Sequence, residues 1–502
     1  MVRASHRLIG AGGGLLLALT AASAAAADAR LIDAIRSRDA AAISALIKQR
    51  AEINVAEGDG TTPLHWAVHL DDAATADLLI RAGAKVNAAD DTGVTPLYLA
   101  CTNRNAQLVQ RLVAAGASPN ATLLNGETVL MNCARTGNGA AVKALVAAGA
   151  RVNVKESAHG QTALMWAAAE AHAEAVKVLI DAGAEIAARS RIYSQTVTGE
   201  QTQRAGREEL NYTTLKGGST ALLFAARSGD VESVRLLLAA GADPNDALPT
   251  GMTALIEAAY SGHERAAIFF VEHGADVNNS AIGYTALHTA VLKSELNLVK
   301  SLLAHGADPG ALIAKGTPIR RNTTDHNLPA TLIGATPFLL AAKFAEPDIM
   351  RALVAGGADP KIAMKDGTTA LMLAAGIGFN ASANRRGTAI LDGGTPDDEA
   401  LVVESVRAAI ELGADVNAAN QAGDTALHGA ASIGCDAAVR LLVAGGAEIN
   451  AKNKRGFTPL AIARGAGQRR GAAAAAAGVD LPDGPAERRT TIDLLRTLGA
   501  TE

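Results

Sequence analysis

Aromatic side chains are scarce in this sequence, which excludes a fold built around one large aromatic core. Its 502 residues include 2 Trp, 5 Tyr and 7 Phe, whereas Gly occurs 50 times and hydrophobic residues make up 49% of the chain. That hydrophobic fraction suffices for a folded protein, but a chain of this length exceeds what a single compact core usually contains. We therefore expect many small, closely packed helical contacts that recur along the chain.

An excess of positive charge is absent as well. The chain carries 46 Lys and Arg against 50 Asp and Glu, so its formal net charge is −4, and it has no polybasic run. Proteins that bind nucleic acid or an anionic membrane surface usually present a basic field. The sequence therefore predicts no nucleic-acid partner and no attachment to an anionic membrane surface. Because no segment beyond the start of the chain approaches a transmembrane helix, it also predicts no stable insertion into a membrane.

The usual signatures of catalysis and cofactor binding are missing from the sequence. It contains no phosphate-binding Gly-Lys-Ser/Thr loop, no nucleophile elbow, no HExxH and no paired-Cys zinc spacing. Cysteine is limited to Cys101, Cys133 and Cys435, an odd and low number that argues against a disulfide framework. We therefore predict a protein that is not an enzyme and that holds no metal and no cofactor.

Long hydrophobic runs are also lacking, except near the start of the chain. A basic start (Arg3 and Arg7) is followed by a largely apolar stretch at 8–22 and by three alanines before Asp28. This order is typical of a secretory signal peptide, here residues 1–27. It predicts a periplasmic or secreted protein. A retained membrane anchor is the alternative, although the strongly apolar part is short for a membrane span.

A threonine and a glycine recur in register along the chain. In most units the glycine follows the threonine by 21 residues, and the next threonine follows after 12 more, which gives a period of 33. The threonines are Thr62, Thr95, Thr128, Thr162, Thr220, Thr253, Thr285, Thr336, Thr369, Thr425 and Thr458. The glycines are Gly83, Gly116, Gly149, Gly183, Gly241, Gly274, Gly306, Gly357, Gly413, Gly446 and Gly499.

The residues between these anchors predict a pair of short helices. Thr62 can cap the first helix, with Pro63 at its first position. Leu64 and Val68 lie on one apolar stripe at helical spacing. A turn and a second helix follow, and Gly83 is suited to end that helix in a left-handed conformation. The polar residues after the glycine predict a loop before the next unit.

The best-formed unit reads Thr62-Pro63-Leu64-His65-Trp66-Ala67 and resembles the repeat of the ankyrin family. The resemblance extends from about Ala29 to Glu502. It implies an all-α solenoid of about twelve helix-turn-helix units with β-hairpin fingers, forming one array over residues 28–502. Each helix pair is too small to bury its own apolar face, so it is stable only when stacked on its neighbours.

Two further sets of residues recur within the repeats. The resemblance implies structural hydrogen bonds to the threonine and nearby backbone for His65, His288 and His428, which repeat geometry spaces too far apart for a metal site. A recurring finger asparagine is explained by turn-forming hydrogen bonds; its members are Asn87, Asn120, Asn153, Asn245, Asn278, Asn417 and Asn450. Ala187, Gly310 and Lys361 replace it, and the first two border enlarged fingers, which suggests locally altered finger geometry.

The cysteines fall within repeat units. Cys101 and Cys133 occupy nearly equivalent places in adjacent units. Because equivalent places in stacked units are about 10 Å apart, we expect two buried thiols and no disulfide. Cys435 is placed at the turn of a helix pair and is expected to be the more exposed thiol.

The repeat period is interrupted by four insertions, near 190–216, 310–333, 377–400 and 465–488. The first two enlarge fingers and the last two split helix pairs. Because function tends to lie in insertions on a regular scaffold, the two enlarged fingers are expected to clamp a partner. The alternative is that they are polar loops without a role, since exposed insertions are well tolerated.

Ankyrin arrays are generally recognition scaffolds, so the resemblance implies a protein partner bound on the concave face of fingers and first helices. Tyr, Trp and Arg dominate binding hot spots. The candidate partner-binding residues are Trp66, Tyr98, Trp166, Tyr193, Arg204, Arg207, Arg320 and Arg321. For Trp66, Tyr98 and Trp166, core packing is the competing interpretation. A non-catalytic accessory subunit of a periplasmic enzyme and a structural envelope protein remain alternative functions.

Overall fold

The computed structural model describes residues 30–199, 210–315, 332–378, 399–466 and 488–501. It divides into two compact units. Unit 1 runs to Ile192 and includes Gly217–Ala242, and unit 2 comprises Tyr193–Lys216 and the chain from Asp243 onward. The predicted signal peptide, most of the second enlarged finger and the inner parts of both split pairs lie outside the described residues.

Unit 1 is an all-α stack in which first and second helices alternate. First helices of consecutive repeats from Pro63 onward pack on one another, and most second helices pack on the next second helix. The helices are α1 (30–36), α2 (Ala40–Lys48), α3 (Pro63–His69), α4 (Ala73–Arg81), α5 (Pro96–Thr102), α6 (Ala106–Ala114), α7 (Val129–Thr136), α8 (Gly139–Ala147), α9 (Ala163–Ala169), α10 (Ala173–Asp181), α11 (Ala221–Ser228) and α12 (Val231–Ala239).

Unit 2 repeats the same alternation. Its helices are α13 (Ala254–Tyr260), α14 (Glu264–Glu272), α15 (Ala286–Leu292), α16 (Leu296–Ala304), α17 (Pro337–Lys343), α18 (Pro347–Ala355), α19 (Ala370–Ala374), α20 (Glu399–Glu411), α21 (Ala426–Ile433), α22 (Asp436–Ala444), α23 (Pro459–Ala463) and α24 (Arg489–Thr497). Both units thus have the helical repeat architecture that the period predicts.

The recurring threonine begins each first helix, as predicted. The Oγ1 of Thr95, for example, accepts a hydrogen bond from the N–H of Tyr98 at 3.3 Å. The three repeat histidines also behave as the resemblance implies: the Nδ1 of His65 lies 2.8 Å from the Oγ1 of Thr62, and His288 and His428 make the same contact. The Nδ1 of His65 also accepts from the N–H of Thr62, at 3.1 Å. The backbone N–H groups at the start of these helices, which the helix itself leaves unpaired, therefore find side-chain acceptors.

The first enlarged finger forms a β-hairpin. Strand β1 (Tyr193–Gly199) pairs with β2 (Leu210–Lys216) in antiparallel register, with Tyr193 opposite Lys216 and Gly199 opposite Leu210. Among the described residues this is the one two-stranded sheet. The ordinary fingers are turns, three of which carry a single bridge, such as Thr122 with Thr128.

The recurring finger asparagine joins consecutive fingers, which the sequence did not predict. In the asparagine stitch, as we call it, Nδ2 donates to the carbonyl of the next repeat's glycine, and Oδ1 accepts from the N–H two residues beyond that glycine. Asn87 does so with Gly116 and Ser118, at 2.9 and 2.7 Å. Both bonds are also made by Asn54, Asn120, Asn153, Asn278, Asn417 and Asn450. The asparagine therefore bonds between fingers and not only within its own turn.

The expectation that Cys101 and Cys133 are separate thiols is wrong. They form a disulfide, with their Cα atoms 4.7 Å apart. Cys435 is the most exposed of the three cysteines, as expected, although it is buried as well. The expected distance of about 10 Å describes the separation of helix axes. Cα atoms lie about 2.3 Å from those axes, so two that face each other across the interface are only about 5 Å apart. Cys101 on α5 and Cys133 on α7 face each other in this way.

No helix in the described ranges is long and apolar enough to cross a membrane.

Candidate interaction surface

Trp66 is half-buried on α3 and is held by charged neighbours at the edge of unit 1. Its Nε1 donates to the Oε2 of Glu57 in the preceding finger, at 2.6 Å. The guanidinium of Arg36, at the end of α1, lies 4.1 Å from the indole centroid and also binds Glu57, at 2.7 Å. The ring is therefore oriented by a carboxylate and covered by a cation, which leaves part of its surface exposed.

Tyr98 on α5 also donates a hydrogen bond to a glutamate that lies near an arginine. Its hydroxyl donates to the Oε1 of Glu127, a buried finger carboxylate of the next repeat, at 2.7 Å. Arg135 on α7 lies 4.0 Å from the same carboxylate oxygen. Burial, reinforced by the Glu127 carboxylate, raises the pKa of Tyr98, so the phenol stays protonated and remains a donor.

Trp166 on α9 lies at the same place in its repeat as Trp66. The Arg135 guanidinium lies 5.5 Å from its ring centroid, while a nitrogen of that guanidinium donates to the Oδ1 of Asn132 at 2.8 Å. The Nε1 of Trp166 is buried and has no acceptor within the described part of the protein. A buried donor without a partner costs roughly 1 to 3 kcal/mol, which an acceptor supplied by a ligand would offset.

These side chains belong to one row on the first helices of unit 1, which we call the aromatic row. Trp66, Trp166 and Phe224 each stand four residues after a repeat threonine, and Tyr98 stands three after. Arginines cover three of the rings: Arg36 over Trp66, Arg135 over Trp166 and Arg227 over Phe224. All four rings are partly exposed, so complete burial in the core does not describe them.

Of the other predicted site residues, Tyr193 begins β1, with 42% of its surface exposed, and belongs to unit 2. The four predicted arginines, Arg204, Arg207, Arg320 and Arg321, lie outside the described residues. The structure thus places Trp66, Tyr98 and Trp166 in one row of unit 1.

Sequence reasoning missed the charged partners of the row. Glu57 and Glu127 come from fingers, and Arg36 and Arg135 from the far ends of first helices. A signal for the arginines exists, because Arg135 and Arg227 both stand seven residues after a repeat threonine. For the carboxylates the sequence offers none, since a polar finger residue is ordinary. Within the described ranges, no cluster of three or more His, Cys, Asp or Glu residues suits a metal ion.

Comparison with known proteins agrees with the repeat architecture. A family model described as ankyrin repeats (3 copies) matches residues 31–123, 100–190, 222–313 and 400–474, which together cover more than half of the chain. No curated protein matches the chain.

Proposed function

Because the chain belongs to the ankyrin-repeat family, we propose that it is a protein-binding scaffold of the bacterial periplasm whose aromatic row contacts the partner. Ankyrin repeats typically mediate protein–protein interaction and are typically not catalytic, so the general role follows from the family. The row, the compartment and the partner's chemistry belong to the proposal.

The observation that carries the proposal is the unpartnered donor within the row. Trp66 and Tyr98 are paired with Glu57 and Glu127, whereas the Nε1 of Trp166 has no acceptor among the described residues. Trp, Tyr and Arg are the residue types most enriched among the side chains that dominate binding energy. A partner whose carbonyl or carboxylate oxygen accepts a hydrogen bond from the Nε1 of Trp166 would complete the row.

Export is supported by the Cys101–Cys133 disulfide. Structural disulfides persist in oxidising compartments and are rare in the reducing cytoplasm. Both sulfurs are fully buried between α5 and α7, where a small reductant has little access. A periplasmic location is consistent with this bond and with the signal peptide predicted for residues 1–27.

The proposal is tested by capturing the partner and then measuring affinity with purified components. Mature protein from Asp28 would be used to isolate a stoichiometric partner from the native periplasm. Trp66→Ala and Trp166→Ala are each expected to weaken the purified complex by at least about tenfold, as hot-spot truncations do. Melting temperatures of both variants would show that the fold is kept.

Leu401→Ala serves as the matched control. Leu401 is also an exposed apolar side chain, 45% exposed, but it lies on α20, a second helix of unit 2. The control is expected to leave affinity unchanged. Equal affinity for all three variants and the unaltered protein would contradict the role of the aromatic row, and the absence of any stoichiometric partner would contradict the scaffold itself.

A further inference from the structure

Two junctions of unit 2 carry no finger asparagine, because Gly310 and Lys361 stand in its place, and a cavity lies at the first of them. Gly310 stands where its neighbours in the repeat, such as Asn278, carry the stitching side chain. The stitch from Asn278 would be reproduced here by a side chain that donates to the carbonyl of Gly357 and accepts from the N–H of Asp359. Neither of these backbone groups has a hydrogen-bond partner among the described residues.

The backbone at Gly310 retains the shape that a stitch requires. Its N–H donates to the Oδ1 of Asp308 at 2.8 Å, as the N–H of Asn278 donates to Asp276 at 3.0 Å and that of Asn417 to Asp415 at 2.9 Å. A Cβ atom built on Gly310 would meet only Asp308 within 4 Å. The finger is therefore positioned as in a stitched junction, and only the side chain is lacking.

A cavity of about 350 Å³ lies at this junction. One side is formed by Asp308, Pro309 and Gly310, and the other by residues 356–359 and Ile362, with Thr336 and Phe338 of the intervening repeat. Gly357, whose carbonyl lacks the stitch, and Asp359, whose N–H lacks it, are therefore both residues of the cavity wall.

We propose that this cavity, the Gly310 cavity, binds a primary carboxamide: the side chain of an Asn or Gln residue of the protein partner. That the amide comes from a protein partner rests on the proposed scaffold function, whereas the two backbone groups that would bind it belong to the chain itself. At seven other junctions, an asparagine carboxamide binds the backbone groups that are equivalent to the Gly357 carbonyl and the Asp359 N–H. A carboxamide has both the donor and the acceptor that these groups require.

The surroundings favour an amide over its isosteric carboxylate. The carbonyl of Gly357 accepts hydrogen bonds and cannot pair with a carboxylate oxygen. Asp308 and Asp359 place two further carboxylates at the cavity, which would repel an acidic side chain. Phe338 and Ile362 provide apolar surface for the methylene groups of the entering residue. The partner segment is therefore neutral or basic around the inserted Asn or Gln.

The cavity is tested directly with propionamide, which has the structure of a glutamine side chain. In protein labelled with ¹⁵N-aspartate, the Asp359 amide resonance is expected to shift in a saturable manner, with weak affinity because the probe is small. N,N-dimethylpropionamide lacks N–H donors and propionate lacks the amide, so neither is expected to cause the shift. The Asp276 amide is the internal control, because Asn245 already bonds it at 2.6 Å.

Gly310→Asn provides the decisive comparison. The new side chain is expected to complete the stitch, so the Asp359 resonance starts at a different position and no longer responds to propionamide. Lys361→Asn places the same residue in the next finger and is expected to leave the response intact. The proposal is overturned if Asp359 does not respond in the unaltered protein, or responds equally in Gly310→Asn.

A selection of linear peptides separates this inference from the proposed function. Peptides selected on the mature protein are expected to include members whose affinity falls at least tenfold with Gly310→Asn and with Asn→Asp or Gln→Glu in the peptide. The carboxamide site would be contradicted if the Asp359 resonance does not shift and if these changes leave the affinity of the peptides or of a native partner unaltered. The scaffold function would then still be supported. A responsive Asp359 with no peptide or protein ligand would retain the carboxamide site and contradict the scaffold.

Discussion

At the scale of single residues, Glu295 is placed at an energetic cost. It precedes α16 in unit 2, only 9% of its surface is exposed, and its Oε2 has no partner among the described residues. Burial, with the nearby Glu264 carboxylate as a smaller cause, raises the pKa of Glu295 from 4.5 to about 7, although Lys293 opposes the shift. Near neutral pH this carboxyl group is therefore half protonated.

Stability is expected to depend on the protonation of Glu295. Because the folded pKa is raised, the folded state binds more protons than the unfolded state between pH 4.5 and about 7. The free energy of unfolding therefore falls as pH rises through this window. Glu295→Gln is expected to be more stable than the unaltered protein at pH 8, by about 1 to 2 kcal/mol, and similar to it below pH 4.5.

Urea unfolding at pH 4.5 and pH 8 measures this difference. Glu448→Gln, at an exposed finger position of the same unit, is the control. It is expected to leave the free energy of unfolding unchanged at both pH values. An equal effect of Glu295→Gln at the two pH values would show that the substitution acts through packing and not through the proton. Glu264 and Lys293 are unchanged in all variants, so their charges do not explain a difference.

At the scale of elements, the turn between the paired helices requires a left-handed residue. Ala171 has a φ of 59° and Ala345 a φ of 56°, whereas Gly262 occupies the equivalent place with a φ of 79°. For a residue with a Cβ this conformation costs about 1 to 2 kcal/mol. Packing of the helices on their neighbours holds these alanines in a conformation that they do not prefer.

Ala171→Gly is therefore expected to raise the free energy of unfolding by about 0.5 to 1 kcal/mol, since relief of strain exceeds the added entropy of the unfolded chain. Ala171 is exposed, so little packing is lost. Gly262→Ala is the reverse control: a Cβ there meets nothing within 4 Å, so only backbone strain acts and the variant should be less stable. Denaturant unfolding measures both, and a change of the same sign in both variants would contradict this account.

At the scale of the whole molecule, a covalent bond links two consecutive repeats of unit 1. Cys101 and Cys133 are separated by 32 residues, and both are fully buried. Closing a loop of that length lowers the entropy of the unfolded chain by an amount worth about 4 kcal/mol. Repeat proteins depend on the contacts between neighbouring units, so a bond across one interface stabilises the units on both sides.

Reduction is expected to lower the melting temperature of the unaltered protein and to leave that of the double variant Cys101→Ala/Cys133→Ala unchanged. Thiol titration in denaturant should find one titratable thiol per chain before reduction and three after, since Cys435 is the cysteine outside the disulfide. Three thiols in protein isolated from its native compartment would contradict the disulfide and remove its support for export.

Much of the fold was predictable from local sequence signals. A threonine cap, an apolar stripe and a terminal glycine act within a few residues, so their spacing predicts short helix pairs without knowledge of the neighbours. His65 could be placed in the same way, because its Nδ1 bonds the threonine of its own helix. Trp66, Tyr98 and Trp166 were named from residue type as candidates for partner binding, which stays a prediction. Phe224 and the carboxylate and arginine partners of the rings were not named.

The sequence by itself therefore determined the repeat, the family and the helices, because each depends on residues close along the chain. Only the tertiary structure decided which groups meet across repeats. The Cys101–Cys133 bond depends on which faces of α5 and α7 oppose each other, and the target of each finger asparagine depends on the next finger. A glycine at position 310 becomes meaningful only when Gly357 and Asp359 of another repeat are brought to the same cavity. These contacts join residues about one repeat or more apart along the chain. Over that separation the sequence period shows which positions correspond between repeats, but not which of their side chains come into contact.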